Sequence, residues 1–426
     1  MTLSAEKQAV YAAILNRELI PAMGCTEPIS VAYAAAKARE ILGTQPDKVT
    51  LAVSSNIVKN VKSVVVPNTG GQRGLKASVA VGIVAGDAAR ELEVIAHVTP
   101  AQQAMLVEFL AEVPIEIRRA ESEQVFDIDV TLYAGSESAR VRLTGSHTNV
   151  VHTERSGTVL FDKPVDDLGG SCPAAYLDLT VEEILAYAET ADLAPVREAL
   201  ERQICYNAAI SAEGLKGEWG ACIGKTLLAM NGSDIKTRAC AAAAAGNDAR
   251  MSGCELPVVI NSGSGNQGMT ASLPVMEYAK ELKVGHETLL RALALSNLLT
   301  IHLKTGIGCL SAYCGAVCAG CAAAAAIAWL SGGGYKHITH TLVNGLAIVS
   351  GIVCDGAKPS CAAKIASSVQ AGLLGWQMYE HSRQFRGGDG IVTKGVEQTI
   401  RNIGRLGRDG MQDTDREIVE IMTENE

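Results

Sequence analysis

The sequence is poor in aromatic residues and carries no excess of positive charge. Only 4 of its 426 residues are phenylalanine, and the formal net charge is -9. Nucleic-acid binding requires clustered Lys and Arg to neutralise phosphates, so the charge balance argues against that class and favours a small-molecule partner. With so few large aromatic side chains, we expect helices that pack closely through small residues.

A secretory signal is also missing from the start of the chain. Residues 1–7 show no basic region followed by an apolar run, so we expect a cytoplasmic protein whose thiols stay reduced. The chain contains 12 cysteines. Six of them fall between Cys309 and Cys361, and in a reducing compartment such a group indicates metal binding or catalysis more than disulfides.

The spacing of apolar residues predicts an α+β fold, with a mostly helical domain and a smaller α/β lobe near the N-terminus. Two helices open the chain on either side of a break at 21–24, and the second is expected to begin with Thr26 as its N-cap. Alternating β-branched residues between 48 and 161 indicate strands, with a hairpin turn at 135–137. Helical patterns dominate afterwards. The expected segments are 1–46, N-terminal helices packed on the helical domain; 47–163, the α/β lobe; and 164–426, the helical domain.

One long stretch, residues 305–335, contains no charged side chain and is long enough for a membrane span. It consists mostly of Ala, Gly, Cys and Ser, and Ala and Gly gain little from contact with lipid. A buried central helix is therefore the favoured interpretation. A small-solute membrane transporter is kept as an alternative.

The cysteine-rich region contains candidate metal ligands. Cys354 and Cys361 lie in one loop that glycine and proline keep from being helical, so the chain can curl around a cofactor there. Iron-sulfur clusters require thiolates held on a rigid backbone, and Cys314 is a third candidate. Core packing explains the helical spacing of Cys314, Cys318 and Cys321 equally well. Zinc stays open, although no histidine stands at the usual short spacing from the loop cysteines.

A glycine-rich loop follows the apolar run at 257–260 and imitates a dinucleotide-binding fingerprint. The genuine motif needs a βαβ unit and an acidic residue about 20 positions on, whereas the surroundings here have a helical pattern. A loop of this kind at a helix N-terminus still suits an anion, and a tight interhelical turn is the alternative. The polar residues that become candidates for binding a substrate carboxylate are Ser262, Ser264, Asn266 and Gln267.

Five short motifs occur in order along the chain: Met23–Pro28, Val66–Gly70, Gly145–Asn149, Cys354–Lys358 and Gly387–Ile391. Together they resemble the L-cysteine desulfidase family, which is related to the alpha chain of iron-sulfur L-serine dehydratases. The resemblance runs from about residue 19 to about residue 411, nearly the whole chain.

The resemblance implies a 4Fe-4S cluster held by Cys314, Cys354 and Cys361, with one iron left open for substrate. Residues 164–426 would then be an all-helical iron-sulfur catalytic domain. The implied reaction converts L-cysteine to hydrogen sulfide, pyruvate and ammonia by α-proton abstraction and iron-assisted β-elimination of sulfur. The expected partner is L-cysteine, with no nucleic acid and no membrane, and a homodimer stays open. An L-serine dehydratase-like deaminase is the first alternative, and the transporter is the second.

Cys25 is the candidate proton acceptor because it immediately precedes a helix start, where thiol pKa values are lowered. From the residues alone, a buried cysteine at a helix entrance is the alternative, and the resemblance favours the catalytic role.

Further candidates for binding the substrate lie in the first half of the chain. A polar turn formed by Asn68, Thr69 and Gly70 can present N–H groups and an amide to a carboxylate, although ordinary β-turn chemistry explains it as well. His147 and Asn149 follow a strand and are ranked as substrate-binding residues because of the resemblance.

Overall fold

The computed structural model describes residues 3–165, 174–308 and 310–424. The helices are α1 (Ala5–Glu18), α2 (Thr26–Leu42), α3 (Ser55–Val61), α4 (Gly74–Ala85), α5 (Pro100–Glu112), α6 (Ala174–Leu177), α7 (Val181–Thr190), α8 (Arg197–Lys216), α9 (Ile223–Asn231), α10 (Ile235–Met251), α11 (Gly265–Glu281), α12 (His286–Thr305), α13 (Gly315–Leu330), α14 (Tyr335–Val349), α15 (Cys361–Glu380), α16 (Val396–Arg405) and α17 (Gln412–Thr423). The strands are β1 (Pro21–Met23), β2 (Lys48–Val53), β3 (Ile115–Arg119), β4 (Asp127–Ala134), β5 (Glu137–Thr144), β6 (Val150–Arg155), β7 (Thr158–Asp162) and β8 (Pro257–Val259).

A six-stranded sheet forms the centre of the α/β lobe, with the strand order β3-β2-β4-β5-β6-β7. The pair β2 and β3 is parallel, and the other neighbours are antiparallel. In β4 the side chains of Ile128, Val130 and Leu132 are fully buried, while Asp129 and Thr131 between them are partly exposed. This period of two is what a sheet with one covered face requires. The predicted strands, the hairpin turn after β4 and the α+β class are confirmed.

Helix α2 covers the sheet by packing on β4 and β5, and α4 packs on α2. The two helices approach closely, since a Cβ at Gly82 would lie 2.2 Å from the carbonyl oxygen of Ala32. The predicted N-cap of α2 was wrong by one residue. Cys25 has extended backbone angles and is the N-cap, whereas Thr26 is already helical and donates its hydroxyl to the carbonyl of Gly263 at 2.9 Å.

Strands β1 and β8 form a separate two-stranded antiparallel sheet that pairs Ala22 with Val258. The break at 21–24 therefore contains a short strand, and β8 interrupts the helical part of the chain. Among the described residues the only parallel pair is β2 with β3, so β8 does not belong to a βαβ unit. Helix α1 contacts α12, and the division into three segments stays a prediction.

Helix α13 lies at the centre of the helical part and packs against α11, α12, α14 and α15. Small residues allow short distances between these helices. A Cβ at Gly320 on α13 would lie 2.6 Å from the carbonyl carbon of Ser368 on α15, and one at Gly372 would lie 2.7 Å from the carbonyl oxygen of Gly320. The expected close packing through small side chains is confirmed. Within the three described ranges, no helix is both long enough and apolar enough to cross a membrane.

Gly320→Ala is expected to lower the free energy of unfolding by about 1–3 kcal/mol, because the added methyl group overlaps the backbone of α15. The matched control is Gly351→Ala, since Gly351 is exposed and a Cβ there meets no atom within 4 Å. That control should change the free energy by less than about 0.5 kcal/mol. Urea unfolding under anaerobic conditions measures both variants, and equal effects would contradict the close approach of α13 and α15.

Candidate active site

The N-terminal ends of α2, α11, α13 and α15 meet around one cavity of about 100 Å³. The first backbone N–H groups of a helix have no intrahelical acceptor and carry partial positive charge, so four such ends together favour anionic groups. The residues that line the cavity from these segments are Cys25, Glu27, Ser262, Gly263, Ser264, Asn266, Gln267, Cys314, Gly315, Ala316, Cys354, Gly356, Ala357 and Cys361.

Three of these residues, Cys314, Cys354 and Cys361, come from two segments whose backbones are hydrogen-bonded to each other. The N–H of Cys314 donates to the carbonyl of Ile352 at 3.2 Å, and the N–H of Cys354 donates to the carbonyl of Ala312 at 2.6 Å. Burial raises the pKa of Cys314, and the neighbouring Cys354 and Cys361 raise it further. The three thiols therefore lie close enough to influence one another's charge.

The loop that joins Cys354 to Cys361 is held against the α/β lobe. Gly356 has a φ of 91°, and a Cβ there would lie 2.2 Å from the carbonyl oxygen of Lys59 on α3. Glycine is required at this position because of both the left-handed backbone and the lack of space.

Two lysines place positive charge beside this loop. Lys358 and Lys364 both form ion pairs with Asp355, and Nζ of Lys364 also donates to the carbonyl of Val353 at 2.9 Å. Burial raises the pKa of Cys361, and the charges of the two lysines act in the opposite direction. They are therefore positioned to offset negative charge on the loop thiols.

Cys25 lies next to the same loop, packed with Met251, Ala357 and Cys361 in a small apolar cluster. Its thiol donates to Oε2 of Glu27 at 3.2 Å. The expectation of a lowered pKa was wrong. Burial raises the pKa of Cys25 well above its ordinary value, and the charge of Glu27 adds to the increase, so both outweigh the helix N-terminus.

Glu27 is buried at the edge of the cavity and accepts hydrogen bonds from the thiol of Cys25 at 3.2 Å and from the side-chain amide of Asn60 at 3.2 Å. Its Oε2 also lies 3.1 Å from the hydroxyl oxygen of Thr26, whose proton it shares with the carbonyl of Gly263. The sequence patterns did not identify Glu27 or Asn60 as site residues. Glu27 stands inside the Met23–Pro28 motif, which could have indicated it, whereas no motif surrounds Asn60.

His147 lines the cavity from the α/β lobe. Its ring packs edge-on against Phe126, with the ring centroids 5.0 Å apart. Gly263 has a φ of 75° and leaves room for the ring, because a Cβ there would lie 2.8 Å from Cε1 of His147. Atom Nε2 is shielded from solvent and has no hydrogen-bond partner, and burial lowers the pKa of His147. The imidazole is therefore neutral near pH 7.

The segment that opens α11 brings all four of its predicted residues, Ser262, Ser264, Asn266 and Gln267, to the cavity. Ser264 is the N-cap but makes no side-chain hydrogen bond to the helix, and the buried Oε1 of Gln267 has no partner. The structure adds Arg250 of α10, whose Nη1 donates to Oδ1 of Asn266 at 2.5 Å. No sequence signal marked Arg250, because it ends an alanine-rich helix whose pattern indicates core packing.

Four other predicted residues, Asn68, Thr69, Gly70 and Asn149, do not line this cavity. The side chains of Asn68, Thr69 and Asn149 donate to backbone carbonyls at 2.8, 2.7 and 2.8 Å, respectively. Their polar groups are thus used within the fold, and the assignment of these four residues to substrate binding stays a prediction.

The turn at 66–70 instead packs against the two residues that precede Cys25. Gly24 has a φ of 67°, and a Cβ there would lie 2.3 Å from Cγ of Pro67. The amide of Asn68 also lies 3.2 Å from Sδ of Met23. The Val66–Gly70 motif therefore holds the backbone that positions the Cys25 thiol.

The chain matches a family of known proteins over most of its length. A family model described as the serine dehydratase alpha chain matches residues 89–420. The chain belongs to this family. A UPF0597 protein of Desulfitobacterium hafniense is 57% identical over 412 residues, which cover 97% of this chain and 96% of the relative. UPF0597 proteins of Lachnoclostridium phytofermentans and Treponema denticola are 48% and 44% identical, and the matches cover 96% and 99% of this chain and 98% and 99% of theirs.

The serine dehydratase alpha chain family consists of iron-sulfur enzymes, so this chain is an iron-sulfur lyase or deaminase of the serine dehydratase type. The relation to that alpha chain inferred from the five motifs is confirmed. These names do not state a cysteine substrate, and nothing in them supports the transporter alternative. The cytoplasmic location and the homodimer stay predictions.

The thiols of this family member suit a cluster better than a single ion. In the part of the chain that the structure describes, no three His, Cys, Asp or Glu side chains converge closely enough to hold one metal ion. A cluster contains several irons, so its ligands surround it from different directions and need not meet at one point. Cys314, Cys354 and Cys361 line one cavity, and thiolates are the ligands that iron-sulfur clusters prefer.

Proposed function

We propose that this protein is an L-cysteine desulfidase, which converts L-cysteine and water into hydrogen sulfide, pyruvate and ammonia. The observation that carries the proposal is a single small cavity lined both by Cys25 and by the three thiols of Cys314, Cys354 and Cys361. The family membership supports the class of reaction, and the five motifs support cysteine as the substrate.

In this proposal, Cys314, Cys354 and Cys361 hold a 4Fe-4S cluster that keeps one iron open. When bound, the cluster would supply a Lewis acid for the sulfur that leaves the β-carbon of the substrate. Lys358 and Lys364 offset the negative charge that the thiolates bring to this end of the cavity. The close pairing of the two cysteine segments keeps the three thiols in place before a cluster binds.

The other cysteines of this region have a packing role. Cys318 and Cys321 are fully buried on α13 and do not line the cavity. Their thiols fill space between helices, as buried free cysteines commonly do. Cys309 lies outside the described residues.

Cys25 is assigned as the group that accepts the α-proton, acting as a thiolate whose own proton has passed to Oε2 of Glu27. It lines the same cavity as Cys361 and belongs to the apolar cluster against which Cys361 packs, so a substrate held beside the three thiols would have its α-carbon near the Cys25 sulfur. The hydrogen bond to Glu27 fixes the direction of the thiol, and Asn60 in turn holds the carboxylate of Glu27. This arrangement sets which face of the substrate the base can reach, and general-base catalysis depends on such placement.

The remaining polar groups of the cavity are assigned to substrate binding. Oε1 of Gln267 is a buried acceptor without a partner and suits the α-ammonium group, and Nε2 of His147 is free for a hydrogen bond. Ser262, Ser264 and Asn266 line the same wall at the start of α11. After sulfur leaves, the aminoacrylate product tautomerises and hydrolyses to pyruvate and ammonia without further help from side chains.

A second cavity of about 310 Å³ provides the route of entry. It shares His147, Ser262, Gly263 and Lys304 with the inner cavity, so these residues form the wall between the two. Lys304 is 5% exposed and places a positive charge at this wall, which suits the passage of an anionic carboxylate.

Deamination of L-serine is the competing activity, and the description of the family favours it. The same residues would serve both reactions, because L-serine differs from L-cysteine only in having oxygen in place of sulfur. Sulfur is the softer atom and matches thiolate-ligated iron better. We therefore propose L-cysteine as the preferred substrate and L-serine as the alternative.

In an anaerobic assay, the cluster-containing protein is expected to release sulfide, pyruvate and ammonia from L-cysteine in equal amounts. Pyruvate release from L-serine at the same concentration should be slower, because the hydroxyl group binds iron less well. Colorimetric sulfide and enzymatic pyruvate measurements give both rates. Faster turnover of L-serine would assign the deaminase, and no product from either amino acid would reject a lyase of this kind.

Cys25→Ala is expected to lower the rate of sulfide release at least about a hundredfold, since it removes the proposed base. Its iron content and its absorption at about 400 nm should match those of the parent protein, because Cys25 is not assigned as a ligand. Cys240→Ala is the matched control, as Cys240 is equally buried but lies on α10 away from the cavity lining. A Cys25→Ala protein that keeps the parent rate would reject the assignment.

Replacing Cys314, Cys354 or Cys361 by alanine, one at a time, should reduce the iron and acid-labile sulfide bound per chain. Each replacement leaves the cluster with two protein ligands in place of three. Cys318→Ala and Cys321→Ala serve as controls and should keep the parent iron content, because these thiols do not reach the cavity. Iron loss in a control that matches the loss in the three site variants would remove the basis for the ligand assignment.

A further inference from the structure

Arg250 is the largest side chain that is fully buried in the described part of the chain, with 1% of its surface exposed. No carboxylate in the described ranges lies within salt-bridge distance of its guanidinium group. Burying a charge without a partner is strongly unfavourable, so unpaired buried arginines are rare. The position of Arg250 therefore indicates an anion that the protein itself does not supply.

The hydrogen-bond donors of Arg250 show where that anion would bind. Nη1 donates to Oδ1 of Asn266 at 2.5 Å, which fixes the plane of the guanidinium group. Nε and Nη2 are both shielded from solvent and have no acceptor. These two atoms lie on one edge of the group and form the fork that binds a carboxylate through two parallel hydrogen bonds.

The guanidinium group lies directly against the first residue of α11. A Cβ at Gly265 would lie 2.5 Å from Nε and 2.7 Å from Cζ of Arg250, so only glycine leaves room for this contact. Ser264 does not cap the helix with its side chain, which leaves the first N–H groups of α11 without that partner. The buried arginine and the start of a 17-residue helix therefore attract an anion to the same wall of the cavity.

Two anions are candidates for this position, the cluster with its thiolates and the carboxylate of the substrate. The two lysines paired with Asp355 stand on the cysteine loop and serve the cluster side. Arg250 lies elsewhere, against Gly265 and hydrogen-bonded to Asn266 at the start of α11. The residues assigned above to substrate binding line the same wall. Arg250 therefore lies on the side of the cavity that the substrate would occupy.

We propose that Arg250, together with the first turn of α11, binds the α-carboxylate of the amino-acid substrate. The inference rests on the proposed function in taking the ligand of this cavity to be a free amino acid. Ser264 and Asn266, assigned above to substrate binding, then act through the helix terminus and by holding the arginine.

This role would set the class of substrate. A ligand without an anionic carboxylate would leave Nε and Nη2 of Arg250 buried and unpaired, and a site with unpaired polar groups rejects such analogues strongly. The cavity should therefore select free α-amino acids over amines, amides and residues inside peptides.

The test uses the cluster-containing protein under anaerobic conditions and two probes that cannot undergo elimination. L-Alanine keeps the α-carboxylate, and L-alaninamide carries a neutral amide in its place. Calorimetric titration measures the affinity of each probe for the parent protein, R250Q and R250K. The matched control is R238Q, which removes a partly exposed arginine that lies on α10, as Arg250 does, and pairs with Glu281 of α11. Iron content and the thermal midpoint show whether each variant keeps its cluster and fold.

The parent protein and R238Q are expected to bind L-alanine at least about tenfold more tightly than L-alaninamide. R250Q should lose most of this preference by binding L-alanine more weakly. R250K should keep part of it, because lysine retains the charge but lacks the planar fork.

An R250Q protein with the parent preference would overturn the inference, as would a parent protein with no preference. If R250Q does not fold, R250K with unchanged affinity for L-alanine has the same meaning. Loss of iron in R250Q with an unchanged preference would overturn it in favour of a role beside the cluster. A preference that depends on Arg250 in a protein that turns over neither cysteine nor serine supports this inference and rejects the proposed lyase. Turnover of cysteine by a parent protein that shows no preference for L-alanine over L-alaninamide supports the proposed lyase and rejects this inference.

Discussion

The candidate site depends on the close approach of α13 and α15, which Gly320 on one helix and Gly372 on the other make possible. Gly320 and Gly372 leave no room for a methyl group between the two backbones. Because the two helices pack closely against each other, their N-terminal ends are placed side by side. Those ends carry Cys314 and Cys361, and the pairing of the two preceding segments adds Cys354. An interior built from small residues thus brings together three thiols that are spread over 47 positions of the sequence, from Cys314 to Cys361.

The N-terminal ends of four helices meet at one cavity, so the site has an excess of hydrogen-bond donors and positive charge that ligands would neutralise. Their N–H groups, the buried Arg250 and the two lysines of the cysteine loop all favour negative charge. Burial opposes the ionisation of the thiols and raises the pKa of Cys25. Thiolate ligands with a cluster and a carboxylate substrate would together satisfy this excess of donors. Substrate and cofactor are then expected to stabilise the site as much as the site orients them.

The α/β lobe contributes to the same cavity by supporting the turn that carries Cys25. Strand β1 leads into that turn and is held by β8, which itself leads into α11. Pro67 fills the space beside Gly24, and His147 packs against Phe126 and Gly263. Motifs that lie far apart in the sequence therefore meet around one site. This explains why a residue such as Asn68 can belong to a motif although its own amide serves the fold.

The sequence by itself determined the fold class, most of the strands and helices, and the three cysteines proposed as ligands, which the structure brings to one cavity, because periodicity, glycine positions and residue type are local properties. It also led to the iron-sulfur family through motifs in order. Only the tertiary structure decided that Arg250, Glu27 and Asn60 reach the cavity, that Asn68 and Asn149 do not, and that burial raises the pKa of Cys25 where a helix terminus alone would lower it. The physical reason is that burial, hydrogen-bond partners and neighbouring charges come from residues distant in the chain, and no short pattern contains them.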